Sequence, residues 1–208
     1  VVEKAIQCLF SVLGLMEICV ADDVLPECRA ARAVFYCPKD ESILMMHNPE
    51  VDLYFTIGGT VQDREQDSET LIREVKEETG HHLSETPERP VWYYEKVVQR
   101  KKDGSAYWCL NKNFFYYIQE KKPFTVGTQG FDMQEKKDRC TVQWMSFEEL
   151  SKIDAAKISP PEFVERLRKI TRQPLPTEPC LIPAHYTERE KEQIQSAGII
   201  LPPSQGTP

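Results

Sequence analysis

The sequence has no C-x-x-C pair, although seven cysteines (8, 19, 28, 37, 109, 140 and 180) are spread along its 208 residues. Such spacing argues against a cysteine zinc cage, and an odd, scattered set reads as reduced thiols. There is no apolar run of about 18 residues, so no transmembrane helix is expected. A basic excess is also missing: Lys and Arg number 26 against 33 Asp and Glu, for a net charge of −7. Nothing therefore draws the chain to nucleic acid backbones or anionic membranes in general, and an anionic substrate needs a local device, a metal or a few placed cations. Internal repeats and low-complexity tracts are absent. So is an initiating Met: the chain opens on Val1-Val2, and residues are expected upstream.

What is present suits a folded domain. Apolar residues make up 40% and charged residues 28%, and a chain of this length buries roughly 70% of its unfolded surface without staples. After Lys4, the run Ala5 to Met16 resembles a weak signal-peptide core, with Cys19-Val20-Ala21 as a poor cleavage site. Gln7 interrupts the run and Glu17 follows it, which favours an N-terminal helix over residues 1–20. The expected location is the cytoplasm, with secretion as the alternative should that segment be a signal peptide.

Short strands are expected at Ala33–Cys37, Ile43–Met46 and Leu53–Ile57, the last running into Gly58-Gly59. A helix over 67–80 ends at Gly80. Val91–Arg100 and Ser105–Ile118 flank the hairpin signal Asp103-Gly104. A strand at 141–145 precedes a helix with Ser146 as N-cap, and another helix covers Pro160–Ile170. From Thr171 to Pro183 four prolines mark a linker or extended arm, followed by a short helix over Thr187–Gly198 and a loose end. Strands and helices alternate without strict βα order, which implies an α/β fold with helices packed on a mixed sheet. The expected organisation is an N-terminal extension over 1–26, a domain over 27–171 and a Pro-rich extension with a short helix over 172–208.

The chemistry concentrates between Gly59 and Gly80. On a helical projection at about 100° per residue, Glu74, Glu77 and Glu78 share one arc of about 100°. Leu71, Ile72, Val75 and Thr79 fall on the side expected to be buried, Lys76 and Glu69 on the solvent side, and Arg73 beside Glu77. Like charges at i, i+4 destabilise a helix by a few tenths of a kcal/mol, and partly desolvated charges about 4 Å apart repel by up to about 4 kcal/mol. A hard divalent cation reverses that sign, and oxygen donors without His or Cys favour Mg2+ or Mn2+. A bare run of acidic residues is by itself an ordinary solvated face. Here it follows Gly58-Gly59, which permits positive φ and close backbone approach.

Gly59, Glu65, Arg73-Glu74, Val75, Glu77-Glu78 and Gly80 together resemble the Nudix box, G-x5-E-x7-R-E-U-x-E-E-x-G-U, where U is a bulky aliphatic residue. The last U is His81, whose apolar contact Leu83 can supply unless His81 faces the site. Arg64 stands where many members carry Gly before the Glu. The resemblance implies an α/β/α sandwich with a mixed β-sheet and Mg2+- or Mn2+-dependent hydrolysis of a diphosphate linked to another group. It implies Glu74, Glu78 and Glu77 as metal ligands with the Gly59 carbonyl, Glu77 also as the residue that positions the water, Arg73 among the catalytic residues, and Glu65 as the partner of Arg73. Gly58 and Gly80 shape the two ends of the motif.

Some members of that family take a general base from a later loop; here the candidates are Glu135, Asp132 and Asp138, beside Gly127 and Gly130, with Glu120 as an outside choice. Arg64, Tyr54 and Lys96 are the candidate substrate-binding residues, and Lys96 belongs with Arg100, Lys101 and Lys102 to a cationic hairpin. Trp92, Tyr93, Tyr94, Tyr107 and Trp108 could stack on a base, although cross-strand packing is the commoner use of such rings. His47 and His185 read as isolated surface residues. The expected partner is a small-molecule diphosphate, with no nucleic acid and no membrane; a homodimer is an allowed assembly. A catalytically silent Nudix-fold binding module is the rival reading, and a Pro-rich tail that docks on a partner can coexist with either.

Overall fold

The computed structural model describes residues 27–99, 106–117, 124–182, 184, 186, 191–192 and 195–196. The expected helix over 1–20, the Asp103-Gly104 turn with its cations at 100–102, Glu120, His185 and most of the last helix lie outside the described residues. Within them the strands are β1 (Glu27–Cys37), β2 (Ser42–Asn48), β3 (Leu53–Phe55), β4 (Ile57–Thr60), β5 (Trp92–Gln99), β6 (Ala106–Tyr117), β7 (Thr141–Ser146), β8 (Ile158–Ser159) and β9 (Cys180–Ile182). The helices are α1 (Asp67–Thr79), α2 (Met133–Lys137), α3 (Phe147–Ser151) and α4 (Phe163–Arg172), with a 3-10 turn at Ala155–Lys157.

The strands form one mixed sheet in the order β8-β3-β2-β1-β6-β5-β9, with β4 paired to β1 and β7 to β2. β1 meets β2 and β4 antiparallel, whereas β8 joins β3 and β9 joins β5 in parallel. Leu53–Ile57 was expected as one strand, but the chain breaks at Thr56 into β3 on β2 and β4 on β1. The break lets Gly58 and Gly59 stay inside the sheet, opposite Arg32 and Ala31, rather than turn out of it.

Two apolar clusters share the sheet. Leu71 and Val75 of α1 pack with Ala31, Ala33, Phe35, Leu44 and Ile57. Leu150 of α3 and Phe163 and Leu167 of α4 pack with Val34, Tyr36, Ile43 and Met45. Alternate residues of β1 thus face opposite clusters, as a strand's period of two requires. Helices on both sides of a mixed sheet make this an α/β sandwich. Trp92 and Tyr94 are buried in the α4-side cluster, which removes them from the rings available to a ligand.

The Cys28–Lys96 and Cys109–His185 segments form one compact unit. Val97 and Tyr186 belong to a second, in which the Val97 N–H donates to the Tyr186 hydroxyl at 2.8 Å. The Pro-rich arm is extended as its prolines dictate and ends in β9, with Ile182 buried.

Candidate active site

α1 is placed by its ends. The Gln66 N–H donates to the Glu69 carboxylate at 2.8 Å, and Asp67 and Glu69 in the first turn suit the positive end of the helix dipole. Gly80 closes the other end at φ 73°, a left-handed conformation natural to glycine, and its N–H bonds the Lys76 carbonyl at 2.9 Å. Lys112 of β6 reaches Asp67 at 2.5 Å and ties the N-terminus of α1 to the sheet. Complete burial of Leu71 and Val75, worth about 1.5–3 kcal/mol each, fixes the rotation of the helix. Ile72, expected on the buried side, is 40% exposed because it lies at the margin of the apolar arc.

With that rotation set, the three carboxylates meet three environments. Glu78 is only 3% exposed, and its Oε2 accepts the Gly58 N–H at 2.7 Å. Burial, reinforced by the charge of Glu74, holds its pKa well above the usual 4.5. Glu74 is half-buried and its pKa is also raised, chiefly by desolvation. It lies so close to Gly59 that a Cβ there would run into its carboxylate. Glu77 stands at the rim with 48% of its side chain exposed.

Arg73 spans the group. Its Nε donates to Glu65 Oε1 at 2.8 Å and its Nη2 to Glu65 Oε2 at 2.9 Å. Its Nη1 donates to Glu74 at 2.6 Å and to Glu77 at 3.3 Å, and its Nη2 reaches the Thr60 carbonyl at 3.2 Å. Glu65 also accepts the Gln62 N–H and the Thr70 hydroxyl, and with the guanidinium beside it its pKa falls to about 2. Glu65 thus orients Arg73 as a bidentate partner.

Arg32 on β1 was not singled out from the sequence, because one arginine in a strand carries no periodic signal. It lies behind the acidic face. Its Nη1 donates to the Thr56 and Gly58 carbonyls, each at 2.9 Å, its Nε donates to Asn111 at 3.2 Å, and its guanidinium stands 5.4 Å from the Phe55 ring centre. Its charge favours ionisation of both Glu74 and Glu78.

The later loop does not hinge at its glycines. The Gly127 N–H bonds the Thr79 carbonyl at 2.7 Å, and at Gly130 a Cβ would collide with the Glu77 backbone, so the stretch is pressed onto the end of α1. Glu135 accepts the Asp132 N–H at 2.6 Å while Asp132 caps α2 through the Glu135 N–H at 2.7 Å. The Glu135 charge still reaches Glu78, whose proton affinity it raises. Asp138 is buried and accepts from Asn48 at 3.0 Å.

Other expected residues spread out. Arg64 is exposed in a turn at φ 65°, a left-handed backbone that explains why glycine suits this position. Tyr54 packs against the α4-side cluster and stacks on His47 at 4.2 Å, so the structure does not bring it to α1. His47, expected to be isolated, also meets Asp52 at 3.5 Å. Lys96 lies half-buried on β5. His81 fills the place of the missing aliphatic residue by stacking on Phe124 at 3.9 Å, and Leu83 packs on the same cluster.

Among the described residues no three His, Cys, Asp or Glu side chains converge tightly enough to hold an ion as they stand. The donor set nevertheless fits a hard cation: two oxygen-only side chains, one buried and one half-buried, have their proton affinity raised by desolvation, Glu78 further by the charge of Glu74 and Glu74 by that of Glu77, and a divalent ion opposes each of these effects.

A family model described as NUDIX domain matches residues 27–167. No curated protein matches the chain. Among solved structures, the MutT protein from Methanosarcina mazei Go1 is 17% identical over 73% of this chain and 100% of its own, with a TM-score of 0.49. The E. coli ORF135 protein is 19% identical over 74% and 96%, with a TM-score of 0.45. The C. elegans Ap4A hydrolase, in a binary complex, is 21% identical over 69% and 96%, with a TM-score of 0.40.

Proposed function

This chain belongs to the Nudix family, hydrolases that act on pyrophosphate bonds, and on that premise we propose that it cleaves the diphosphate of a nucleoside diphosphate-X or a similar organic diphosphate by water attack on phosphorus. Glu74 and Glu78, with Glu77 and the Gly59 carbonyl, would hold Mg2+ or Mn2+. Bound there, the ion would neutralise diphosphate oxygens and lower the pKa of a water.

The residues of the chain supply the rest. Gly58 fixes one oxygen of Glu78, leaving the other to bind. Glu65 holds Arg73 against Glu74, so the carboxylate is oriented before any ligand arrives and little reorganisation remains for the reaction. Glu77, the most exposed of the three, orients the attacking water. Glu135 is the candidate to accept its proton, once its oxygen releases the Asp132 N–H. Arg64 and Lys96 are proposed to meet the substrate's outer phosphate or leaving group, and Tyr54 retains a substrate-facing role only if its contact with His47 opens.

The observation that carries the reading is the Glu74–Glu78 pair, turned inward against Gly58 and Gly59, with the proton affinity of both carboxylates raised by desolvation. The test is a panel of nucleoside diphosphate sugars, dinucleoside polyphosphates and other organic diphosphates, assayed with Mg2+ and with Mn2+. The expected result is cation-dependent release of phosphomonoester or phosphate, lost in Glu78→Gln. Equal turnover in chelator, or full turnover in that variant, would overturn the assignment.

A further inference from the structure

Of the seven cysteines scattered along the sequence, two meet in the fold. Cys28 on β1 and Cys109 on β6, adjacent strands 81 residues apart in sequence, place their Sγ atoms 3.4 Å from each other. Both are unbridged. Cys109 is buried and Cys28 is half-buried, so Cys28 is the more accessible residue of the two. A disulfide needs an S–S distance of roughly 2.05 Å; closing from 3.4 Å asks for a small side-chain adjustment rather than a rearrangement of the sheet.

We propose that Cys28 and Cys109 are a reversible thiol-modification site, a dithiol that low-molecular-weight disulfides convert into a cross-strand disulfide. Cys28 attacks one sulfur of the reagent R–S–S–R, forming a Cys28–S–S–R mixed disulfide and releasing RS⁻. Cys109 then attacks the Cys28 sulfur, forming the protein disulfide and releasing the second RS⁻. The two thiol protons leave with the two released thiolates, and the reagent is reduced by two electrons as the protein is oxidised by two. The order follows from access, and from the fact that the hydrogen bond with Cys28 and burial hold the Cys109 proton tightly.

The pair is also wired to the acidic face. The Asn111 amide donates to Cys109 Sγ at 3.7 Å and its oxygen accepts from Arg32 at 3.2 Å; Arg32 holds the Gly58 carbonyl, and the Gly58 N–H holds Glu78. Oxidation moves Cys109 Sγ and loosens Asn111, which shifts the anchor of Arg32. This coupling, unlike the disulfide itself, rests on the proposed hydrolytic function.

The experiment uses the full chain incubated with glutathione disulfide. Thiol titration and peptide mapping are read first, then the rate on whichever diphosphate the panel identifies. Wild type is expected to lose two titratable thiols and about 2 Da, to yield a linked Cys28–Cys109 peptide, and to recover on adding dithiothreitol. Cys28→Ser is expected to form no such link and to keep the rate of the reduced protein. Cys109→Ala serves as the second variant should Cys28→Ser fold poorly. Both cysteines remaining alkylatable, or Cys28 stopping at the glutathione adduct, would overturn the proposal. A several-fold change in KM or kcat on oxidising wild type, absent in Cys28→Ser, supports the wiring; equal rates remove it. An inactive chain that still forms the link refutes the hydrolase reading and leaves the thiol site standing.

Discussion

Helices α1 and α4 both carry glutamates with a charged residue four positions on, and put them to opposite uses. On α4, Glu165 pairs with Lys169 at 3.0 Å, with both side chains about two-thirds exposed (68% and 67%). Its first turn is stapled by the Glu162–Arg166 pair at 2.7 Å. On α1, the carboxylates at 74 and 78 are turned inward, against glycines that lack the side chains to keep them out. Water screens the Glu165–Lys169 pair and leaves it worth about 0.3–0.5 kcal/mol. Desolvation instead raises the proton affinity of the carboxylates at 74 and 78. An acidic pattern on a helix is therefore not a site until the opposing surface is known, and here that surface is β4 and β1.

The comparison breaks hardest at Glu78. Replacement by Gln keeps an acceptor for the Gly58 N–H, so the fold should survive while hydrolysis falls by at least about 10²–10³-fold; circular dichroism and steady-state rates check both halves. Gly59→Ala should come next. Its new methyl must displace Glu74 or part β4 from α1, at about 1–3 kcal/mol by denaturant melt together with loss of activity. Arg73→Ala should destabilise by about 1–3 kcal/mol, because Glu65 and Glu74 lose charge-assisted hydrogen bonds.

The dependence on pH sharpens the contrast. Glu65, lowered to about 2, contributes stability that is complete above 4.5 and drains away as pH falls toward 2. Glu78 has the opposite sign. Its folded pKa lies well above 4.5, so stability declines as pH rises beyond 4.5 and the folded protein must ionise a buried acid. In chelator, the melting temperature should therefore climb as pH is lowered from neutrality toward 4.5. Glu78→Gln should flatten that slope, and Mn2+ should do the same in wild type. The smallest effect belongs to α4: Lys169→Met should change stability by less than about 0.5 kcal/mol and leave hydrolysis untouched.

Much of this could be read before folding. The end of α1 follows from Gly80, and the shared arc of Glu74, Glu77 and Glu78 from helical periodicity alone. Ser146 announced α3, and its side chain accepts the Glu149 N–H at 3.2 Å. What stayed hidden depends on long-range partners. Arg32 matters only because β1 lies opposite Gly58, and Cys28 meets Cys109 only because β1 lies beside β6. β9 is a short edge strand in a proline-rich stretch, and its existence depends on the open edge of β5. The short helix α2 was legible in principle, since Asp132 and Glu135 stand at capping-box spacing; reading both as candidate bases obscured it.

Gly130 carries one more implication. Because only hydrogen fits between it and the Glu77 backbone, the segment that bears Glu135 and the final turn of α1 are a single casting. Exchanging that segment to suit a different leaving group would disturb the proposed ligands in the same stroke. Selectivity is more safely retuned at positions that do not touch α1, whereas a bulky residue at 130 would be felt first by Glu77.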